Sequence, residues 1–99
     1  MLYAIHCLDH ADKLQARLDH YPEHRAYLNS VPLKIVLAGP IAADDGETPI
    51  GSVMIIDAAT RAEAEAFNRN DPFYQLGVWN RAAINIHVFL KRRGWLAEY

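Results

Sequence analysis
Apolar and polar positions alternate in four short runs of this chain, and between the runs they recur at helical spacing. Leu2 to Leu8 is short, apolar and partly β-branched or aromatic, which predicts a first strand ended by Asp9 and His10. Ala11, Leu14 and Leu18 stand at helical spacing among polar residues, so Ala11 to Asp19 reads as a two-turn amphipathic helix. Pro22 favours the first position of a helix, which predicts a second helical piece from Pro22 to about Asn29. Leu33 to Ala38 is a second strand, punctuated by Gly39-Pro40. Asp45-Gly46 lies in a polar loop and predicts a hairpin, so Gly51 to Asp57 should pair antiparallel with the second strand. Thr60 and Glu63 fit a capping box for a helix running through Phe67, with Ala59, Ala62 and Ala66 on one side to lie close to a sheet. Asn70-Asp71-Pro72 ends it, because a residue before proline avoids helical dihedrals. Phe73 to Gly77 reads as a short turn-like helix, and Ala82 to Leu90 as a fourth strand.

The order is therefore βαββαβ, the ferredoxin-like α+β plan of a four-stranded antiparallel sheet with helices on one face. Val53 and Ile55 oppose Ser52, Met54 and Ile56 on the third strand. On the fourth, Ile84, Ile86, Val88 and Leu90 oppose Ala83, Asn85, His87 and Phe89. Both faces are substantially apolar, and helices cover only one. The open face predicts a homodimer in which two sheets pack together.

Composition narrows the function classes. With 99 residues and 52% apolar, the chain reads as one small domain, residues 1–99, with a core of limited size. A formal charge of −2 gives no general attraction for nucleic acid or an anionic membrane. The short basic run Lys91-Arg92-Arg93 reads as a solvated strand end. The single cysteine, Cys7, allows no intrachain disulfide and fits a reducing compartment. Within an alternating apolar run, its thiol reads as buried and inert. No signal peptide and no run of about 20 apolar residues is seen, so the cytoplasm is the expected location.

One stretch raises a metal question. "HYPEH", His20 to His24, matches the inverted zinc-protease pattern H-x-x-E-H. That pattern needs both histidines on one face of one helix. Pro22 between them costs about 3 kcal/mol in a helix interior, which predicts a helix break, His20 in a turn, and no metal site. No Gly-rich phosphate loop, nucleotide fingerprint or two-Cys metal pattern occurs, so any reaction should run without an organic cofactor. Proton transfer suits that limit.

Several segments together carry a resemblance. They are "MLYAI" at the start, Arg17-Leu18, Pro22-x-His24, Ala38-Gly39-Pro40, Gly51-Ser52, Asn70-Asp71-Pro72-Phe73 and Gly77-Val78. In this order and spacing the chain resembles the YCII-related family of small bacterial proteins. The resemblance implies a ferredoxin-like fold that dimerises into an α/β barrel, similar to muconolactone isomerases and small monooxygenases. It also implies an active site on a His and an Asp, which motif by motif are His24 and Asp71. Some members are linked to lyase or dehydrochlorinase chemistry on hydroxylated aromatics. Tyr21 departs from the pattern, since many relatives carry Arg before the proline, and the tail from Arg92 to Tyr99 is longer than typical.

The remaining candidates each have two readings. His24 is a general base or acid, or a surface helix residue; Asp71 orients it, forms an Asx turn, or does both. Ser52 donates to a substrate oxygen or simply begins a strand. Arg17 pairs with an acidic ligand group, or with Asp12 or Glu23 at the surface. Gly39 and Pro40 admit a ligand close to the backbone or form a plain turn. Tyr3 and Phe73 wall an aromatic pocket or pack in the core. His6 and His87 read as interface or core histidines. Three functions compete. The first is a cofactor-independent lyase or isomerase using a His–Asp dyad on a small cyclic or hydroxylated aromatic substrate. The second is a non-catalytic small-ligand-binding or accessory domain, and the third a quinol-type monooxygenase.

Overall fold
The computed structural model describes residues 1–95; the end of the tail, residues 96–99, lies outside the described residues. Among the described residues seven elements follow one another: β1 (Leu2–Asp9), α1 (Leu14–Ser30), β2 (Lys34–Ala42), β3 (Pro49–Asp57), α2 (Arg61–Arg69), α3 (Pro72–Gln75) and β4 (Trp79–Val88). The strands form one antiparallel sheet in the order β2-β3-β1-β4. This is the ferredoxin-like α+β fold expected from the alternation. Among the described residues no helix is long and apolar enough to cross a membrane.

Period-two alternation places the core. Tyr3, Ile5 and Cys7 of β1 and Met54 and Ile56 of β3 are buried on the helix-covered face. Ala64 and Phe67 of α2, Phe73 of α3, and Val78 and Trp79 close over them. The opposite face carries Leu2, Ala4 and Leu8 beside Val53, Ile55 and Leu37, as the strand register requires. Ala58 and Ala64 are the small residues buried in this layer, whereas Ala59 and Ala62 are exposed. At the start of α2, Thr60 Oγ1 accepts the Glu63 N–H at 3.2 Å. Glu63 reaches back one residue further than a standard capping box, accepting the Ala59 N–H at 2.9 Å.

Three differences from the sequence reading bear on the site. The first concerns α1, which is one continuous helix with Pro22 inside it. The expected break does not occur. Pro22 is exposed, and the chain tolerates the lost backbone donor because Arg17 and His24 anchor the helix inward on either side. The apolar stripe is also displaced, since Leu14 and Leu18 are exposed. We expect Pro22→Ala to raise stability by about 2 kcal/mol, the helix-interior cost less the entropy proline removes from the unfolded chain. A melting temperature that stays level or falls would contradict this.

The second is β2, which runs through Gly39-Pro40 to Ala42. It is an edge strand, and Pro40 opposite Ser52 lacks only a donor that an edge can spare. The third is β4, which begins at Trp79 and ends at Val88, so Leu90 and the basic run lie past the strand.

Candidate active site
The inward face of α1 carries two polar side chains, Arg17 and His24, seven residues and two turns apart. Around them the site is assembled from five other elements.

Asp71 is fully buried as the N-cap of α3. Pro72 holds it in extended backbone, and its carboxylate accepts the Phe73 N–H at 2.8 Å. Both carboxylate oxygens also lie 2.8 Å from His24 Nδ1. A carboxylate only accepts, so Nδ1 carries the proton, and the neutral ring keeps its lone pair on Nε2. Nε2 has no hydrogen bond among the described residues. Phe73 stacks on the imidazole at 4.2 Å and 10°, and Trp79 meets it edge-on at 6.1 Å, which fixes the ring plane.

Arg17 is also buried. Its Nε and Nη2 donate to the two oxygens of Asp9 at 2.6 and 3.0 Å, a bidentate pair with both side chains enclosed. Nη2 donates further to Ser52 Oγ at 2.7 Å, and the guanidinium lies over the Phe73 ring at 4.6 Å. Trp79 Nε1 donates to the same Ser52 oxygen at 3.3 Å. Ser52 is placed by Gly51. A Cβ there would stand 2.3 Å from the Cys7 carbonyl oxygen, so only glycine lets β1 and β3 approach this closely.

A cleft of about 160 Å³ opens between α1 and the edge strand β2. Arg17, His24 and Ser52 reach it from below, Gly39 and Pro40 form one wall, and Tyr21 and Arg25 stand at the rim. A larger apolar cavity of about 560 Å³ lies between the end of α1 and α2, by Tyr27, Val31 and Phe67. It holds no histidine and no buried ion pair, so the smaller cleft is the better candidate by its chemistry.

The sequence-read residues divide clearly. His24, Asp71, Ser52, Arg17, Gly39 and Pro40 come together, with Phe73 backing the histidine. Tyr3 does not. Its place on the helix face of β1 puts it in the core at Ile56 and Val88, outside the cleft lining. Arg17 pairs with neither Asp12 nor Glu23, because it points inward to Asp9. His20 does share the helix with His24, but its Nδ1 sits 2.6 Å from a Glu23 oxygen at the surface. Among the described residues no three His, Cys, Asp or Glu side chains gather as metal ligands. Burial raises the Cys7 thiol to about 12, against a smaller lowering from the Asn68 amide, so it stays protonated and unreactive.

Asp9 and Trp79 were missed. Asp9 looked like a strand terminator, although an Asp eight residues before an Arg, across one turn into a helix, is within reach of it. Trp79 fell in what read as a loop.

Fold and site together define a class: a small α+β protein whose cleft presents an imidazole oriented by a buried carboxylate, above a buried arginine–aspartate pair. The family model for the YCII-related domain matches residues 1–86, and the chain belongs to that family. Protein YciI of Escherichia coli O6:H1 and its counterpart in Shigella flexneri are each 32% identical over 91 residues, covering 85% of this chain and 93% of theirs. Among solved structures, 5-chloro-2-hydroxyhydroquinone dehydrochlorinase (TftG) from Burkholderia phenoliruptrix AC1100, in complex with 2,5-dihydroxybenzoquinone, superposes with a TM-score of 0.80. It is 33% identical, with 91% of this chain and 94% of that one covered.

Proposed function
We propose that this protein is a cofactor-independent lyase or isomerase in which His24 moves a proton on a small cyclic or hydroxylated aromatic substrate. The observation that carries this reading is the enclosed His24–Asp71 pair with Nε2 unengaged at a cleft. Asp71 holds the Nδ1 proton, so Nε2 is the base. Once Nε2 takes a proton, the carboxylate stabilises the imidazolium. The stacked Phe73 ring keeps Nε2 aimed at one place, and the narrow cleft limits water. Loss of HCl from a chlorinated hydroxyquinol balances in two proton moves: His24 Nε2 takes an O–H proton and returns it to the chlorine-bearing ring carbon, and loss of a second O–H proton then breaks the C–Cl bond, releasing chloride and leaving a quinone. The dehydrochlorinase among its structural neighbours supports the substrate class.

The test is a panel of chlorinated and unchlorinated hydroxyquinols, with chloride release and solvent-deuterium incorporation both read. Turnover above the spontaneous rate on at least one member is expected. Tight binding with neither outcome would return the protein to the ligand-binding reading.

The same reading includes a homodimer through the open sheet face. Leu8 and Leu37 are exposed there, beside half-buried Leu2, Val53 and Ile55. An apolar surface of this kind favours association. Light scattering at micromolar concentration should give twice the chain mass, and Leu37→Asp with Val53→Asp should shift it to the monomer. A wild-type monomer would remove this part. A cytoplasmic location belongs to the proposal too, supported by a lone buried thiol.

A further inference from the structure
Ser52 has an unusual hydrogen-bond balance. A serine hydroxyl offers one donor and two acceptor positions. Both acceptor positions are filled, by Arg17 Nη2 at 2.7 Å and Trp79 Nε1 at 3.3 Å. Arginine and the indole N–H only donate, so neither can receive the Ser52 proton. No acceptor for that proton is present among the described residues. Ser52 lines the cleft, so its O–H is left to point there.

Arg17 adds a second donor. Its Nε and Nη2 are engaged by Asp9 and Ser52, while Nη1 has no partner among the described residues. No fully enclosed side-chain nitrogen or oxygen goes unpaired among them, so Nη1 keeps access to the cleft that Arg17 lines. The floor of the cleft is therefore donor-only, while Nε2 of His24 is an acceptor.

The geometry points to a ligand-recognition subsite in which Trp79 and Arg17 force the Ser52 hydroxyl to donate, so that the cleft selects a ring bearing a deprotonated oxygen, a phenolate or enolate. This deepens the proposed function and rests on it for the site, but binding tests it separately from turnover. Trp79 is then a positioning residue that acts through Ser52. A protonated hydroxyl or an amino group at that position meets two donors and no acceptor. An oxyanion meets two N–H or O–H groups in a desolvated floor, where such bonds are at their strongest.

The test uses pentafluorophenolate, ionised at neutral pH, and its neutral isostere pentafluoroaniline, with binding read by fluorine NMR. The wild type should bind the phenolate about tenfold more tightly or better, the weight of one charge-assisted hydrogen bond. Ser52→Ala should lose most of that preference. Trp79→Phe frees an acceptor position on Ser52, so the aniline should gain while the phenolate weakens. A merely structural role for Trp79 would weaken both ligands alike. His24→Gln should keep the preference while losing turnover, which separates failure of the subsite from failure of the catalytic reading. Equal affinities in the wild type, no detectable binding of the phenolate, or a preference unchanged in both Ser52→Ala and Trp79→Phe would overturn the inference. If Trp79→Phe does not fold, the wild-type comparison and Ser52→Ala still decide.

Discussion

Asp71→Asn is expected to fold like the wild type and to lose about 10³–10⁴-fold in turnover on whichever hydroxyquinol the panel identifies. Asparagine caps a helix as well as aspartate does, so the Phe73 N–H keeps its acceptor and α3 keeps its start. The loss comes from the other contact. An amide can turn its NH₂ toward His24 Nδ1 and donate, which moves the ring proton to Nε2 and removes the base from the cleft. The imidazolium that forms during reaction also loses its counter-charge. His24→Gln should cost at least as much, and the double variant should be no worse than His24→Gln alone, because the two residues act as a unit. Circular dichroism and a thermal melt establish that the fold survives. An Asp71→Asn protein within tenfold of wild-type turnover would mean that the carboxylate only caps α3.

Arg17→Met should destabilise the protein by about 3–5 kcal/mol, because it leaves the buried Asp9 carboxylate without its partner. A small domain has about 5–15 kcal/mol in total, so this variant stands near the limit of folding. The cost lies in the orphaned charge rather than in the pair's net worth. Arg17→Met combined with Asp9→Leu should therefore recover a large part of it. Urea unfolding of wild type, both single variants and the double variant closes the cycle. Additive costs, or a single-variant loss under about 1 kcal/mol, would show that the pair behaves as if solvated. Neither of the single variants is a clean probe of catalysis, since Arg17 also holds Ser52.

The sheet was legible because strands state their faces by alternation. Ser52, Met54 and Ile56 are buried and Val53 and Ile55 are less so, as a period of two requires. α1 was not legible, for a reason that belongs to function. Amphipathic reading assumes that the inward stripe is apolar. Here the fully buried positions are Arg17 and His24, and Tyr27 and Leu28 pack against the core, while Leu14, Leu18 and Tyr21 face outward, so the pattern in the first half of the helix pointed the wrong way round. Pro22 completed the error by suggesting two helices where there is one. Gly39-Pro40 read as a stop because the sequence does not say which strand lies at the edge of the sheet, where proline does no harm. The start of β4 was lost because Trp79-Asn80-Arg81-Ala82 lacks alternation; Trp79 is buried for the site as much as for the core.

The site itself was legible in parts that only the family resemblance joined. His24 and Asp71 stand 47 residues apart, on elements whose packing no local pattern reveals. The Asn70-Asp71-Pro72 turn was readable as a turn, and its second use as a histidine partner was not. Arg17 has acidic neighbours of its own in Asp12 and Glu23, and Asp9 reads in sequence only as the end of a strand, so nothing local pairs the two. A buried arginine on a helix needs an enclosed carboxylate, and the sequence alone gives no sign of burial.

The central claim is that Asp71 fixes His24 as the Nδ1–H tautomer with Nε2 open to the cleft. The direct measurement is a long-range proton–nitrogen correlation spectrum of the protein with ¹⁵N-labelled histidine, recorded with the rings neutral. His24 is expected to show a protonated Nδ1, with a slowly exchanging, hydrogen-bonded proton, and an unprotonated Nε2; in Asp71→Asn the proton should move to Nε2. A wild-type His24 found as the Nε2–H tautomer, or as the mixture free imidazole adopts, would contradict the account.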